Sequence, residues 1–269
     1  MIRLRSVALW ALVVVCAVAG RAPDASAAAE VHKFNLMRSA SPSSLNAKDF
    51  NDDLDTYNRL VITPRGYDEL KALSFGWYFQ GEARYFIRPN IAISAGYGTL
   101  SAETKREYLP RISQAINIDA HLSTAVANFG ASYYLAPFNQ GDFQARAYLS
   151  GGLLSMIGSE FKFTKTETNT DSTTTLGGFE TIYGANTQIV GKQDGPGWYA
   201  EVGAHMFFAS RFSVMLGVLY RDMKVSGVPR QLTETDRRNG LTISEPFSGG
   251  PTSVDLSGMS ARMAVCIGF

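Results

Sequence analysis

The chain has 269 residues, with 25 basic and 24 acidic side chains, three histidines and two cysteines. This balance indicates neither the basic surface of a nucleic-acid-binding protein nor a polybasic membrane patch. We find no sequence pattern of a zinc site, a phosphate-binding loop or a serine-hydrolase elbow, and nothing predicts a cofactor or a metal. The length suits one domain.

The N-terminal segment has the order of a secretory signal peptide. Arg3 and Arg5 precede an apolar run over residues 7–19, and small residues follow at 25–29. The run is shorter than the ~20 residues that a membrane-spanning helix needs. We therefore expect export and cleavage after Ala27 or Ala29, with residues 1–29 as signal peptide and residues 30–269 as the mature domain. The mature chain then keeps only Cys266, so an internal disulfide is excluded.

The mature chain opens with a short predicted strand and an amphipathic helix. The strand covers residues 31–39, with Phe34 and Leu36 facing outward. The following polar stretch carries apolar residues at near-helical spacing, at Phe50, Leu54, Tyr57 and Val61. Aspartates occupy the opposite face at positions 49, 52, 53 and 55, near the end where the helix dipole favours anions. We expect Ser43 or Ser44 to cap this helix, which lies in a long first loop.

From residue 73 onward, apolar residues alternate with small or polar ones, which is typical of strands. Tight turns are predicted at residues 88–90, 137–142 and 209–211, and long connections at 101–114, 165–197 and 224–253. The fourth strand changes parity after Val126, which suggests a bulge near residues 127–128. The strands are predicted at residues 73–87, 91–99, 116–135, 143–163, 198–208, 212–221 and 255–269.

Together with the first strand these segments make eight, joined alternately by long and short connections. Outer-membrane barrels show this asymmetry, with tight turns on the periplasmic side. Aromatic residues gather near the tight turns, as in the belt that a barrel places at the lipid interface. They are Tyr85, Tyr133, Tyr134, Phe138, Phe143, Phe208, Phe212 and Phe269.

Whether the apolar face of the strands points out of the barrel or into it decides between a membrane barrel and a soluble, lipocalin-like ligand-binding barrel. Over the central strand positions, the apolar parity contains no charged residue, which favours lipid on that side because a mid-bilayer Arg or Lys costs ~2–4 kcal/mol. The other parity is mostly small residues with isolated charges, which suits a narrow lumen better than a solvated surface. We predict a paired polar network from Glu82, Arg84, Arg146, Glu201, His205, Arg221 and Arg262.

The final strand ends the sequence on alternating apolar residues and an aromatic one. It resembles the C-terminal signal of bacterial outer-membrane β-barrels, through Arg262, Ala264, Ile267 and Phe269, although Ala264 stands where that pattern has glycine. The resemblance is to small barrels of the OmpA, OmpX and OmpW type. It implies an all-β, transmembrane, up-and-down antiparallel barrel of eight strands in the outer membrane. Lipid and the barrel assembly machinery would then be its partners.

Three functions remain open from the sequence. The first is a non-enzymatic barrel whose long extracellular loops make surface contacts or whose wall supports the envelope. The second, implied by the resemblance to OmpW-type barrels, is a narrow channel or lateral gate for small apolar molecules. Leu100, Leu154 and Met156 on the inward parity near the outer mouth motivate it. The third is an enzyme on the barrel rim, for which Asp119 and His121 are the only suggestive pair. We expect these two to be ordinary lumen residues and the protein not to be an enzyme.

Overall fold

The computed structural model describes residues 32–111, 114–140, 143–169, 192–193, 196–208, 211–228, 231–236, 241–246 and 252–269. Eight antiparallel strands follow one another around a ring, and the ring closes because the first strand pairs with the last. The strands are β1 (Phe34–Ser44), β2 (Phe75–Arg88), β3 (Ile91–Arg111), β4 (Gln114–Tyr134), β5 (Phe143–Asn169), β6 (Gly197–Phe207), β7 (Phe212–Asp222) and β8 (Gly258–Gly268). The predicted eight-stranded up-and-down barrel is therefore confirmed.

Several shorter elements join the barrel strands. Helix α1 (Lys48–Tyr57) continues into a π-helical turn (Asn58–Ile62) and a 3₁₀ turn (Thr63–Arg65), which confirms the helix in the first loop. No helix among the described residues has the length and apolar character to cross a membrane. The predicted signal peptide and most of the 165–197 connection lie outside the described residues. The short strands are Phe138–Gln140, Lys192–Gln193, Lys224–Val228, Gln231–Asp236, Leu241–Pro246 and Thr252–Asp255.

The predicted loop over residues 101–114 is wrong, because β3 continues to Arg111 and β4 begins at Gln114. These strands have 21 residues each and β5 has 27, against the ~9–11 that a transmembrane strand needs. These strands are therefore longer than a bilayer would require, and their outer ends extend past the barrel wall as a three-stranded sheet. Polar side chains on the outer face of this extension gave the sequence its loop-like texture.

The predicted bulge in β4 is also wrong. Even-numbered residues of β4 face inward from Ile118 through Val126 to Ser132, and β4 pairs with β3 without interruption from Ile116 to Tyr133. The sequence seemed to change parity because the outer half of the lumen is itself apolar. The irregularity lies across the other edge of β4, where β5 carries one extra residue at Ile157.

The apolar parity faces outward, which overturns the lipocalin-like alternative. Ile267, Val265 and Leu216 are 41%, 55% and 45% exposed on the outer surface. Two aromatic girdles bound this apolar belt, as expected where a barrel meets the two lipid interfaces. Their exposed members are Phe34, Tyr85, Tyr133, Phe208, Phe212 and Phe269 at one rim and Phe75, Trp77, Trp198 and Tyr220 at the other. Tyr134 was predicted for the first rim but is buried in the lumen.

One charged residue contradicts the expectation of an uncharged outer face. Arg38 lies on the outward parity of β1, exposed, with Gly81 of β2 and Val265 of β8 as its cross-strand partners. The sequence placed this residue near the end of a strand that stopped at residue 39. Because β1 continues to Ser44, Arg38 lies instead in the middle of the lipid-facing belt.

The segment between β1 and β2, residues 45–74, folds over the outer mouth of the barrel, and we call it the cap. Ser43 and Ser44 belong to β1 and do not cap α1; the helix starts after Ala47, which adopts a left-handed conformation. The apolar side of the cap is buried, through Leu45, Phe50, Leu54, Ile62, Leu70 and Leu73. The helix thus forms where its apolar face can pack on the barrel, which is the usual source of stability for so short a helix.

Two asparagines tie the two halves of the cap together. Asn58 donates to the Leu70 carbonyl at 3.0 Å and accepts from the Leu70 amide at 2.9 Å. Asn51 makes the same pair of bonds to Leu73, at 3.2 and 2.7 Å. Each carboxamide therefore makes the two hydrogen bonds that a neighbouring strand would make to the extended segment leading back to β2. These bonds satisfy backbone groups that would otherwise lose their partners on burial.

Candidate functional site: the barrel lumen

The lumen is filled by side chains in three layers, as expected for a barrel of eight strands. The layer at the end with the tight turns, which the sequence predicts to be the periplasmic end, is aromatic and apolar, with Phe86, Phe207, Met215 and Cys266 among its members. A charged layer lies in the middle. The outer layer is apolar and continuous with the cap, through residues such as Leu100, Leu122 and Val126. Inward-facing positions of β2, β6 and β8 supply the charged layer, and each strand contributes every second residue.

Four charged residues form a continuous ion-pair network, which we call the tetrad. Arg84 Nη2 lies 2.8 Å from Glu82 Oε1, and Arg262 Nη2 lies 3.0 Å from Glu82 Oε2. The second η-nitrogen of Arg262 lies 2.7 Å from Glu201 Oε2. All four side chains are at most 2% exposed. Two guanidinium groups and two carboxylates balance, so the network places no net charge in the low-dielectric interior.

Aromatic hydroxyls extend the tetrad toward the periplasm. Tyr148 donates to Glu201 Oε1 at 2.5 Å, and Arg84 donates to the Tyr134 hydroxyl at 2.5 Å. That hydroxyl lies 3.2 Å from Nδ1 of His205, whose Nε2 lies 2.8 Å from Ser213 Oγ. The chain of bonds crosses the lumen from wall to wall and fills its middle layer with paired side chains.

The two other arginines of the predicted network stand apart from the tetrad. Arg221, which is buried near the outer mouth, donates to Ser260 Oγ at 2.7 Å and to the carbonyls of Ser44 and Leu256 at 3.1 Å each. It ties the base of the cap to the barrel wall. Arg146 is half-buried at the periplasmic opening, where it donates to Gln144 Oε1 at 2.8 Å and to the Pro89 carbonyl at 2.5 Å. Among the described residues, neither pairs with a carboxylate.

A small cavity remains between the tetrad and the outer apolar layer. Its volume is about 10 Å³, which is room for roughly one water molecule. Gln80 Oε1 and Asn128 Nδ2 are buried beside it without a hydrogen-bond partner among the described residues, although Gln80 Nε2 donates to Asn128 Oδ1 at 3.0 Å. An acceptor and a donor next to a water-sized space are the conditions for a buried bridging water.

Ionisable groups also lie on the long extensions of β3 and β4 and at the base of the cap. Burial raises the pKa of Asp255, but hydrogen bonds from Ser257 and from Asn46 Nδ2, the latter 2.7 Å long, outweigh it and hold the pKa below its usual range. Burial also raises the pKa of Tyr108, whose hydroxyl donates to the Asp68 carbonyl at 2.8 Å. Arg106 forms an ion pair with the Asp68 carboxylate, which fixes the cap to β3.

Asp119 and His121 do not face the lumen, contrary to expectation. Odd-numbered residues of β4 lie on the outer face, and Asp119 Oδ2 lies 3.2 Å from Lys105 Nζ on the extracellular extension. The hydrogen bonds that Lys105 donates to the carboxylates of Glu103 and Asp119 raise the pKa of Lys105. Among the described residues, no group of three or more His, Cys, Asp or Glu could hold a metal ion. Asp119 and His121 are half-buried on this outer face, away from the polar network of the lumen.

The four residues of the predicted C-terminal signal divide between two faces at the end of the chain. Arg262 and Ala264 face the lumen, whereas Ile267 and Phe269 are exposed on the lipid side. Cys266 is a buried small side chain of the periplasmic layer. The sequence did not single out Tyr134, Tyr148, Gln80 or Asn128 for the polar network, although all four lie on the inward parity. They could have been found by searching the inward-facing strand positions for large polar side chains.

No protein-family model matches the chain, and no curated protein resembles it in sequence. Among solved structures it is similar to Neisserial surface protein A, at 9% identity and TM-score 0.43, over 89% of this chain and 99% of that one. It is also similar to the outer membrane protein AlkL, at 13% identity and TM-score 0.38, over 93% and 95%. A third similar structure is the outer membrane protease OmpT from Escherichia coli, at 8% identity and TM-score 0.27, over 88% and 96%.

Proposed function

We propose that the protein is an integral outer-membrane barrel that is exported through a cleaved signal peptide and acts without catalysis. It supports the envelope and presents the extracellular ends of β3, β4 and β5 for surface contacts. The observation that carries this proposal is a barrel with an apolar outer surface whose lumen is blocked at two levels. The tetrad fills the middle of the barrel, and the cap covers the outer mouth. A general diffusion pore needs about twice as many strands.

Membrane fractionation with a heat-modifiability gel tests the location. Folded barrels in the outer-membrane fraction should migrate differently before and after boiling, whereas recovery in the periplasmic fraction would refute the proposal. Planar-bilayer recordings test the closed lumen. The native chain should conduct no ions. A variant in which a short Gly-Ser turn replaces the cap should not conduct either, because the tetrad still fills the middle of the barrel. Conductance of the native chain would refute a closed lumen.

A second candidate is a route for small apolar molecules, which the apolar outer layer of the lumen favours. Leu100, Leu154 and Leu219 line the cavity under the cap, and Arg221 ties the cap base above them. Uptake of an apolar probe into proteoliposomes should rise when the cap is deleted if this route exists. Equal uptake by native, cap-deleted and protein-free vesicles would dispose of it.

A further inference from the structure

The outer surface carries a groove that the closed lumen does not explain. It is an open depression of about 520 Å³ where β1, β2 and β3 lie side by side. Gly81 forms its floor, and a Cβ at that position would meet no other atom within 4 Å. Exposed Leu36, Phe79 and Tyr97 are among its walls. The volume falls within the range of about 300–1,000 Å³ that is usual for ligand sites.

The groove lies at the middle of the lipid-facing belt. Gly81 is four residues from Trp77 of one aromatic girdle and four from Tyr85 of the other. With a rise of about 3.3 Å per residue on a strand tilted by about 40°, each girdle is about 10 Å away along the membrane normal. The groove is therefore open to acyl chains along its length.

Arg38 gives this apolar groove a charge. It pairs across the strands with Gly81, and its exposed side chain belongs to the groove wall. Within the described strands, no Asp or Glu lies on the outer face between the two girdles, and no described residue forms an ion pair with Arg38. An ionisable side chain in the membrane normally has a counter-charge or reaches a polar interface.

From this juxtaposition we propose that the groove is a binding site for an anionic phospholipid. One acyl chain lies over Gly81, between the walls at Phe79 and Tyr97, and the lipid phosphate pairs with the Arg38 guanidinium. The long side chain extends toward the interface, and the local bilayer thins to bring the phosphate within reach, as it does around other intramembrane arginines. A second copy of the chain fits poorly, since a symmetric contact would oppose two Arg38 side chains without an acid between them.

The site rests on the membrane location proposed above, and fluorescence quenching separates the two. A reporter of the predicted mature chain, residues 30–269, which lacks Trp10, carries Phe79→Trp as its one tryptophan, with Trp77→Phe and Trp198→Phe. A matched reporter carries Leu216→Trp on the far side of the barrel. Both are refolded into phosphatidylcholine vesicles that contain brominated phosphatidylglycerol or, separately, brominated phosphatidylcholine. Failure of both reporters to insert would refute the membrane location and leave no lipid site.

Given insertion, the Phe79→Trp reporter should prefer phosphatidylglycerol over phosphatidylcholine about fivefold, the ratio expected for one arginine that meets an anionic lipid. Arg38→Gln should reduce that ratio to about one, whereas Arg211→Gln at the periplasmic rim should not change it. Gly81→Leu should weaken quenching by both lipids, while the matched Ala261→Leu on β8 should not. Equal headgroup ratios for the native residue and Arg38→Gln would overturn the proposal. So would a dimer that forms through this groove independently of the headgroup.

Discussion

Replacing Arg262 tests whether the tetrad stabilises the barrel as a balanced network. Arg262→Met removes the partner of Glu201 Oε2 at 2.7 Å and one of the partners of Glu82 at 3.0 Å. Glu201 would keep only the Tyr148 hydroxyl, so the interior would hold one uncompensated carboxylate. The change tests electrostatics more than packing, since Met fills much of the same volume.

The magnitude follows from the two broken contacts. Each close pair is worth about 4 kcal/mol of attraction at an effective dielectric constant near 20. Burial of the Arg262 charge costs several kcal/mol of desolvation free energy, and the variant does not bear this cost. We therefore expect Arg262→Met to lower the free energy of unfolding by about 3–5 kcal/mol. The double variant Glu201→Gln with Arg262→Met restores neutrality and should lose about 1 kcal/mol or less.

Urea unfolding of the protein in phosphatidylcholine vesicles measures these differences. Trp77 and Trp198 are 46% and 44% exposed on the lipid side, so their fluorescence reports loss of insertion. Arg146→Met is the matched control, because it removes a half-buried lumen arginine that has no carboxylate partner among the described residues. It should cost about 1 kcal/mol or less. A double variant as unstable as Arg262→Met would refute the account of the tetrad, and so would a single variant that loses less than about 1 kcal/mol.

Three further predictions concern the cap and the outer lumen. Asn58→Leu leaves both backbone groups of Leu70 without partners, at about 1–3 kcal/mol each, so trypsin should cleave faster at exposed Arg59. The depressed pKa of Asp255 adds stability above its unfolded value of about 3.9, and this stability is lost as pH falls through the folded value. Hydrogen-exchange protection factors in the cap, corrected for the intrinsic rate at each pH, should therefore fall in acid, and Asp255→Asn should remove that dependence on pH. Leu122→Ala opens a cavity at a fully buried position and should lower the free energy of unfolding by about 2–5 kcal/mol, seen as a lower heat-modifiability midpoint.

Alternation of residue types predicted most of the barrel from the sequence. It identified eight strands and the outward direction of Ile267, Val265 and Leu216, because a period of two fixes which side chains share a face. It failed on β4, where Ile118, Leu122 and Val126 are apolar and nevertheless face inward. An apolar residue marks contact with another apolar surface, and there that surface is the cap and not lipid. Parity alone does not distinguish the two.

The ion-pair partners inside the lumen could not be predicted from the sequence, for a different reason. Arg262 contacts Glu82 across a separation of 180 residues, and that contact depends on the register of β8 on β1 and of β1 on β2. A shift of one residue would exchange the inward and outward faces of a strand. The role of Asn58 was likewise hidden, since nothing in the local pattern distinguishes an asparagine that binds backbone from one on a solvated helix face.

The position of the two barriers limits what any route through this barrel could be. A molecule that enters under the cap meets the apolar layer around Leu100 and Leu154, then the water-sized cavity at Gln80 and Asn128. Below them it meets the tetrad, whose side chains are almost fully buried and mutually paired. An apolar molecule gains nothing by displacing charges that would then lack partners. A straight path to the periplasm is therefore unfavourable even with the cap open, and an apolar substrate would have to leave sideways between strands, into the lipid that surrounds the wall.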